Sequence, residues 1–292
     1  MPVSNTYGRA FEYIICKRLE KNIPNFSFTK RAINEQEKDK LLYNGLPENI
    51  KNTYKNSAKQ ISKWILSQFE SIQNSTNVSI DRLPDSEGVK GDVTDIRITT
   101  ESEVINISLK HNHNALKHPR LSKVPQWINV SDTYALSNYK QAYNTIWENI
   151  IQDAKRNVPG ITLFSELNTI SDSYINQRIY HPLCELVAQF LISNIINSDQ
   201  VSNMFYFLVG NCNFIKIIDY PKEIVISNFV DIPTPNKVVI THTQDSYLKM
   251  EFDNNWILNL RLHTASSRLI TKSIKFDVRA EKTTVSEYII SK

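Results

Sequence analysis

"GDVTDIRITTESEVINISLKHNH", residues 91–113, is the stretch whose reading decides the fold. Side chains alternate across a strand, so residues two apart share a face. In the second half, Ile105, Ile107 and Leu109 make one face, and Asn106, Ser108 and Lys110 make the other. In the first half, Ile96 and Ile98 match the apolar face, while Asp95 and Arg97 match the polar one. Residues 99–103 supply the turn. The stretch therefore reads as a β-hairpin whose polar face looks either at water or at a substrate. With the apolar faces buried together, Asp95 and Lys110 emerge from the same side near the open end.

That pairing fits metal-assisted phosphodiester hydrolysis. An Asp at a strand start can hold a divalent cation, and Mg²⁺ prefers hard oxygen ligands. The cation activates a water and offsets charge on phosphorus. A Lys on the neighbouring strand orients the water or stabilises the developing anion. A further acid is needed, and the position beside the Lys is the neutral Ser108. Two candidates remain. Asp92 lies three residues before Asp95; its plainer role is a Gly-Asp turn. Glu12 lies on a predicted first helix; its plainer role is a solvated helix face. Gly8, one turn before Glu12, is expected to let that helix approach the sheet closely. Ser108 itself reads as a small polar filler, because no triad spacing surrounds it.

Around the hairpin, helical spacing dominates the first 200 residues. Phe11, Ile14, Ile15 and Leu19 give a helix that starts near Thr6, and Ala58, Ile61, Ile65, Phe69 and Ile72 extend the pattern. Residues 27–75, 137–155 and 180–197 are expected to be largely helical. After residue 200 the segments "MFYFLV", "FIKIID", "EIVIS", "KVVITHT", "YLKMEF", "WILNLRLH" and "SIKFDV" read as short strands. The expected class is α/β: a mixed sheet flanked by helices, with a β-rich C-terminal part. The expected partition is a core over 1–200 and a β-rich part over 201–292.

The chain of 292 residues is long enough for a core without staples. Its cysteines (Cys16, Cys184, Cys212) are too scattered for a disulfide framework or a zinc site. The start lacks a signal-peptide run, and no apolar run is long enough to span a membrane. A cytoplasmic protein is the expectation.

A net charge of +4 is only mildly basic, but its distribution is uneven. No acidic residue occurs between Glu103 and Asp132, whereas Lys110, Lys117, Arg120, Lys123, His111, His113 and His118 do. One-sign patches of this kind bind phosphate, or are simply solvated loops. His111, Asn112 and His113 are candidates for touching DNA backbone or base edges, against a plainer reading as a turn with satisfied imidazoles. The tripeptide is not the HNH nuclease motif, whose residues are spaced. Lys117, His118 and Arg120 are candidates for phosphate contact. In the β-rich part, Asn259, Arg261 and His263 share one strand face. Arg binds guanine O6 and N7 bidentately, so this face suits a G/C-rich target, with an ordinary solvated face as the alternative.

An Asp, a hairpin and then x-Lys resemble the PD-(D/E)xK nucleases. "GRAFEY", "GDVTDIRI", "SLKHNHNALKHPRLS" and the C-terminal "FDNNWILNLRLHTASS" with "SIKFDV" together resemble the HaeIII-type restriction endonucleases, in order along the chain. The resemblance implies a restriction-endonuclease-like core and a Mg²⁺-dependent type II enzyme that cuts double-stranded DNA at a short palindrome, GGCC. It implies that Asp95 and Lys110 take the metal and catalytic-lysine roles, with Asp92 and Glu12 as supporting acids. It also implies a homodimer and a cognate DNA methyltransferase. Ser108 departs from the superfamily's usual acid, which raises the importance of Glu12. Two alternatives share the hairpin: a structure-selective repair or junction nuclease, and a non-catalytic DNA-binding protein with a decayed core.

Overall fold

The computed structural model describes residues 3–84, 87 and 91–292. In chain order the elements begin with α1 (Val3–Asn22), β1 (Phe26–Phe28), α2 (Lys30–Asn44), α3 (Glu48–Gln68) and α4 (Glu70–Asn74). Next come β2 (Val78–Arg82), β3 (Ile96–Thr99), β4 (Val104–His111), α5 (Val124–Trp127) and α6 (Thr133–Asn157). Then follow α7 (His181–Asn194), α8 (Ser198–Val209), β5 (Phe214–Asp219), β6 (Glu223–Phe229) and β7 (Val238–Gln244). The last are β8 (Tyr247–Phe252), β9 (Ile257–Thr264), β10 (Ile274–Lys282) and β11 (Ser286–Ser291). The chain thus has the expected α/β class.

Contacts divide it into two compact units, and not at residue 200. One comprises 1–114, 211–232 and 285–292; the other comprises 115–210 and 233–284. The first is built on a seven-stranded mixed sheet in the order β1-β2-β3-β4-β5-β6-β11. β1 runs parallel to β2 and β4 parallel to β5, while the other pairs are antiparallel. Parallel neighbours need a crossover connection. Between β4 and β5 that connection is the whole 115–210 segment of the second unit.

The hairpin forms as read, with Ile96 opposite Ile107 and Ile98 opposite Ile105. Its isoleucine face is the core of the first unit. Phe11, Ile15 and Leu19 of α1 pack there with Tyr54, Ile61 and Ile65 of α3. Burying each such side chain stabilises the fold by about 1.5–3 kcal/mol. The polar face, expected to look at water or substrate, is itself covered. Asn106 is 9% exposed and Ser108 1%. β4 has a strand on each side and both its faces packed, so these side chains form a buried polar layer. Asn106 bridges Arg97 Nε (2.7 Å) and the carbonyl of Asn213 (2.9 Å).

Two further expectations are corrected. "MFYFLV" is the end of α8, not a strand. Asn197 caps that helix by accepting from the Gln200 N–H, and Val201, Met204, Phe205 and Leu208 fall on its buried side. At Gly8, a Cβ meets nothing within 4 Å, so α1 does not need glycine there to reach the sheet. Gly91, by contrast, has φ +103° and its Cα faces the Asn211 side chain, which makes it a true turn glycine.

The second unit holds an antiparallel sheet, β10-β9-β8-β7. Leu258, Leu260 and Leu262 of β9 are buried, and α7 packs against β7 and β8. The three cysteines are free thiols. Among the described residues, no helix is long and apolar enough to cross a membrane.

Candidate active site

The hairpin's open end is organised by one carboxylate. Asp95 sits just before β3 and donates its N–H to the Ile107 carbonyl (2.9 Å). Its Oδ2 then accepts from the Leu109 N–H at 2.6 Å, in the place of the next ladder carbonyl. The same oxygen accepts from Ser108 Oγ (3.3 Å) and Lys110 Nζ (3.4 Å). The side chains of Asp95 and Lys110 remain 23% and 28% exposed, so the pair is fixed but reachable. Ser108, the expected filler, helps fix the carboxylate.

Glu12 joins them from α1, which packs against β4. Its carboxyl is raised to about 7, with burial pushing it up and the Arg82 guanidinium pulling it down. Asp95 pushes it up again, while Lys110 and Arg9 pull it down. Both hairpin charges therefore lie close enough to act on Glu12. Among the described residues, Asp95 Oδ1 and Glu12 Oε1 receive no hydrogen bond. Two carboxylates, each with an oxygen to spare, form a hard donor set suited to a divalent cation.

Asp92 is not brought into this group. Its Oδ1 accepts from the Thr94 N–H (2.9 Å) and Cys212 Sγ (3.5 Å), and its Oδ2 from Arg97 (2.7 Å). Partial burial opposes its charge, but the Thr94 bonds and Arg97 outweigh that and hold the carboxyl below its usual range.

His111 is turned to the interior side. It packs edge-on against Tyr54, ring centroids 5.0 Å apart, and Nδ1 donates to Asp219 (3.1 Å). Nε2 then accepts from Asn112 Nδ2 (3.0 Å). Asn112 takes the left-handed conformation, φ 54°, which Asn tolerates. His113 is half-buried.

In the second unit, Lys117 is half-buried. It donates to the Phe207 carbonyl (2.7 Å) and lies 3.7 Å from that residue's ring centroid. Burial lowers it to about 8. His118 is exposed and meets the His263 ring edge-on at 5.6 Å. Arg120 donates to Ser273 Oγ (2.8 Å). Asn259 donates to Glu281 (2.6 Å), and Arg261 is exposed on the same strand face, between Tyr247 of β8 and Asp277 of β10.

Sequence reasoning missed Arg82. In "VSIDR" the odd positions are buried, so the spacing itself puts an arginine on the apolar side of β2. A charge there requires acid partners, and those come from residues far away in sequence: Glu12 and Asp39.

The family model for the HaeIII restriction endonuclease matches residues 8–237. The type II restriction enzyme HaeIII of Haemophilus aegyptius is 26% identical over 318 aligned positions, covering 94% of this chain and 93% of that protein. No solved structure matches the chain.

Proposed function

This chain belongs to the HaeIII restriction endonuclease family, and we propose that it cuts double-stranded DNA at a short G/C-rich palindrome, GGCC, using Mg²⁺. The observation that carries the reading is the Asp95–Lys110 pair at the end of the hairpin, with Glu12 beside it. This is the PD-(D/E)xK arrangement with Ser108 at the usual acid position and Glu12 supplying the acid from a helix. Asp95 and Glu12 would hold the cation. When bound, it supplies Lewis acidity at the phosphate and lowers the pKa of a coordinated water.

The protein's own groups do the rest. Lys110 orients the attacking water and balances negative charge as phosphorus becomes five-coordinate. Asp95 holds the Lys110 ammonium in place before DNA arrives. Ser108 and the Leu109 N–H fix the Asp95 carboxylate, so little reorganisation remains at the moment of reaction. Asp92 supports the turn leading into β3. On the recognition side, Arg261, Asn259 and His263 read bases, with Arg120 and His118 on phosphates. His111, Asn112 and Lys117 support the fold through their internal bonds, and His113 stays a backbone-contact candidate. A palindrome calls for a two-fold homodimer. Cutting the host's own DNA calls for a protecting methyltransferase and a cytoplasmic setting.

Digestion of phage DNA with purified protein and Mg²⁺ tests this directly. Discrete fragments with GGCC-derived ends are expected, and preference for branched over linear DNA overturns the sequence-specific reading. Asp95→Ala is expected to lower cutting by on the order of 10³-fold or more while specific binding persists. Normal cutting by that variant removes the site assignment.

A further inference from the structure

Arg82 lies at the end of β2 with its side chain only 2% exposed. Nη2 donates to the Glu12 carboxylate and to Asp39 Oδ2 (3.0 Å). Nη1 donates to Gln36 Oε1 (2.9 Å). Asp39, also 1% exposed, accepts Arg9 Nε through its other oxygen at 2.8 Å, and Arg9 pairs in turn with Glu35. Gln36 is anchored by donating to the Tyr13 carbonyl (3.3 Å). A buried charge is retained only with partners of good geometry. Here the guanidinium bonds other than the one to Glu12 go to Gln36 and Asp39 of α2, and Cys16 of α1 lies against it as well.

Glu12 is therefore held from behind. One of its oxygens is fixed by a guanidinium that α2 itself fixes, and the other receives no hydrogen bond among the described residues. We infer that Arg82 is a positioning residue for the metal site: through its fork it orients the Glu12 carboxylate, so that the unbonded oxygen is set for a divalent cation beside Asp95. The inference rests on the nuclease reading above. The planar fork matters, because it fixes several directions at once. A lysine in the same place supplies charge from a single point.

Arg82→Lys separates geometry from charge. The full-length protein is titrated with Mn²⁺ in the presence of uncleavable GGCC-containing DNA, with binding read by electron paramagnetic resonance. Mn²⁺ affinity is expected to fall on the order of tenfold, the effect of removing a group that orients a metal ligand. DNA affinity in EDTA and the circular dichroism spectrum are expected to stay at wild-type values. A folded Arg82→Lys protein with wild-type Mn²⁺ affinity overturns the positioning role and leaves the nuclease reading standing. Wild-type protein that binds no Mn²⁺ removes the nuclease reading, and the positioning role with it. Where Arg82→Lys does not fold, Gln36→Met withdraws a single acceptor from the fork. A smaller loss of Mn²⁺ affinity is expected there, and unchanged affinity again overturns the inference.

Discussion

The hairpin end at Asp95 and the polar face of β9 carry similar side chains held in opposite ways. Asp95 Oδ2 has three donors, one of them a backbone N–H that cannot move without breaking the sheet. On β9, Asn259 has a single exposed partner in Glu281, and Arg261 lies open between its cross-strand neighbours. The first arrangement suits chemistry, where reacting groups must be in place beforehand. The second suits reading, where a side chain can settle once a base edge is presented. The two regions are expected to fail differently when mutated.

After Asp95, the largest difference is expected at Lys110. Lys110→Ala removes the ammonium at the centre of the proposed chemistry and is expected to slow single-turnover cleavage by on the order of 10²–10³-fold. The DNA dissociation constant in Ca²⁺ is expected to change little. A variant that loses binding and cleavage in parallel places Lys110 with the reading residues instead.

Glu12 sharpens the fixed side through pH. Its carboxyl is raised from 4.5 to about 7. Above pH 7 it is ionised in both folded and unfolded chains, and only the folded chain bears the cost of that buried charge. Below pH 4.5 it is protonated in both, and the cost vanishes. Glu12→Gln is therefore expected to gain stability relative to wild type in the metal-free protein as pH rises from 4.5 through 7. The gain should fade as pH drops from 7 towards 4.5, while cleavage is lost at every pH. Urea unfolding in EDTA at the two ends of that range is the check. A gain independent of pH removes the assigned cause.

Arg261 tests the other side. Arg261→Ala is expected to cost about 1–3 kcal/mol of discrimination between GGCC and single-mismatch sites. Cleavage at saturating DNA should stay near wild type. Equal weakening on every sequence marks Arg261 as a phosphate contact.

How much of this was legible varies with the range of the forces involved. Alternation alone placed Ile96, Ile98, Ile105 and Ile107 on one face, because strand geometry is local. It also put Asp95 and Lys110 on the same side near the open end. It failed at residues 204–209, where an unbroken apolar run fits a buried strand or a buried helix equally well. The 3–4 residue spacing of Val201, Met204, Phe205 and Leu208 appears only when the window starts at Ser198. β11 escaped notice because an edge strand with Tyr288 and Ile289 both exposed has no alternation. The interleaved units and the Arg82 cluster depend on contacts tens of residues apart, for which a single sequence carries no local sign. Arg82 was half visible: its place in the β2 alternation marks it as buried, while its partners are not marked at all.

Gly8 gives the smallest effect and the cleanest check of one corrected expectation. The sequence reading gave it a role in bringing Glu12 to the sheet, so that any side chain there should disturb the site. The structure leaves open space at its Cβ position, in the interior of α1. Glycine inside a helix then only costs backbone entropy, about 0.5–1 kcal/mol relative to alanine. Gly8→Ala is expected to raise stability by about that amount and to leave cleavage unchanged. A loss of cleavage with intact folding restores the close-approach role, and with it the idea that α1 needs a gap to deliver Glu12.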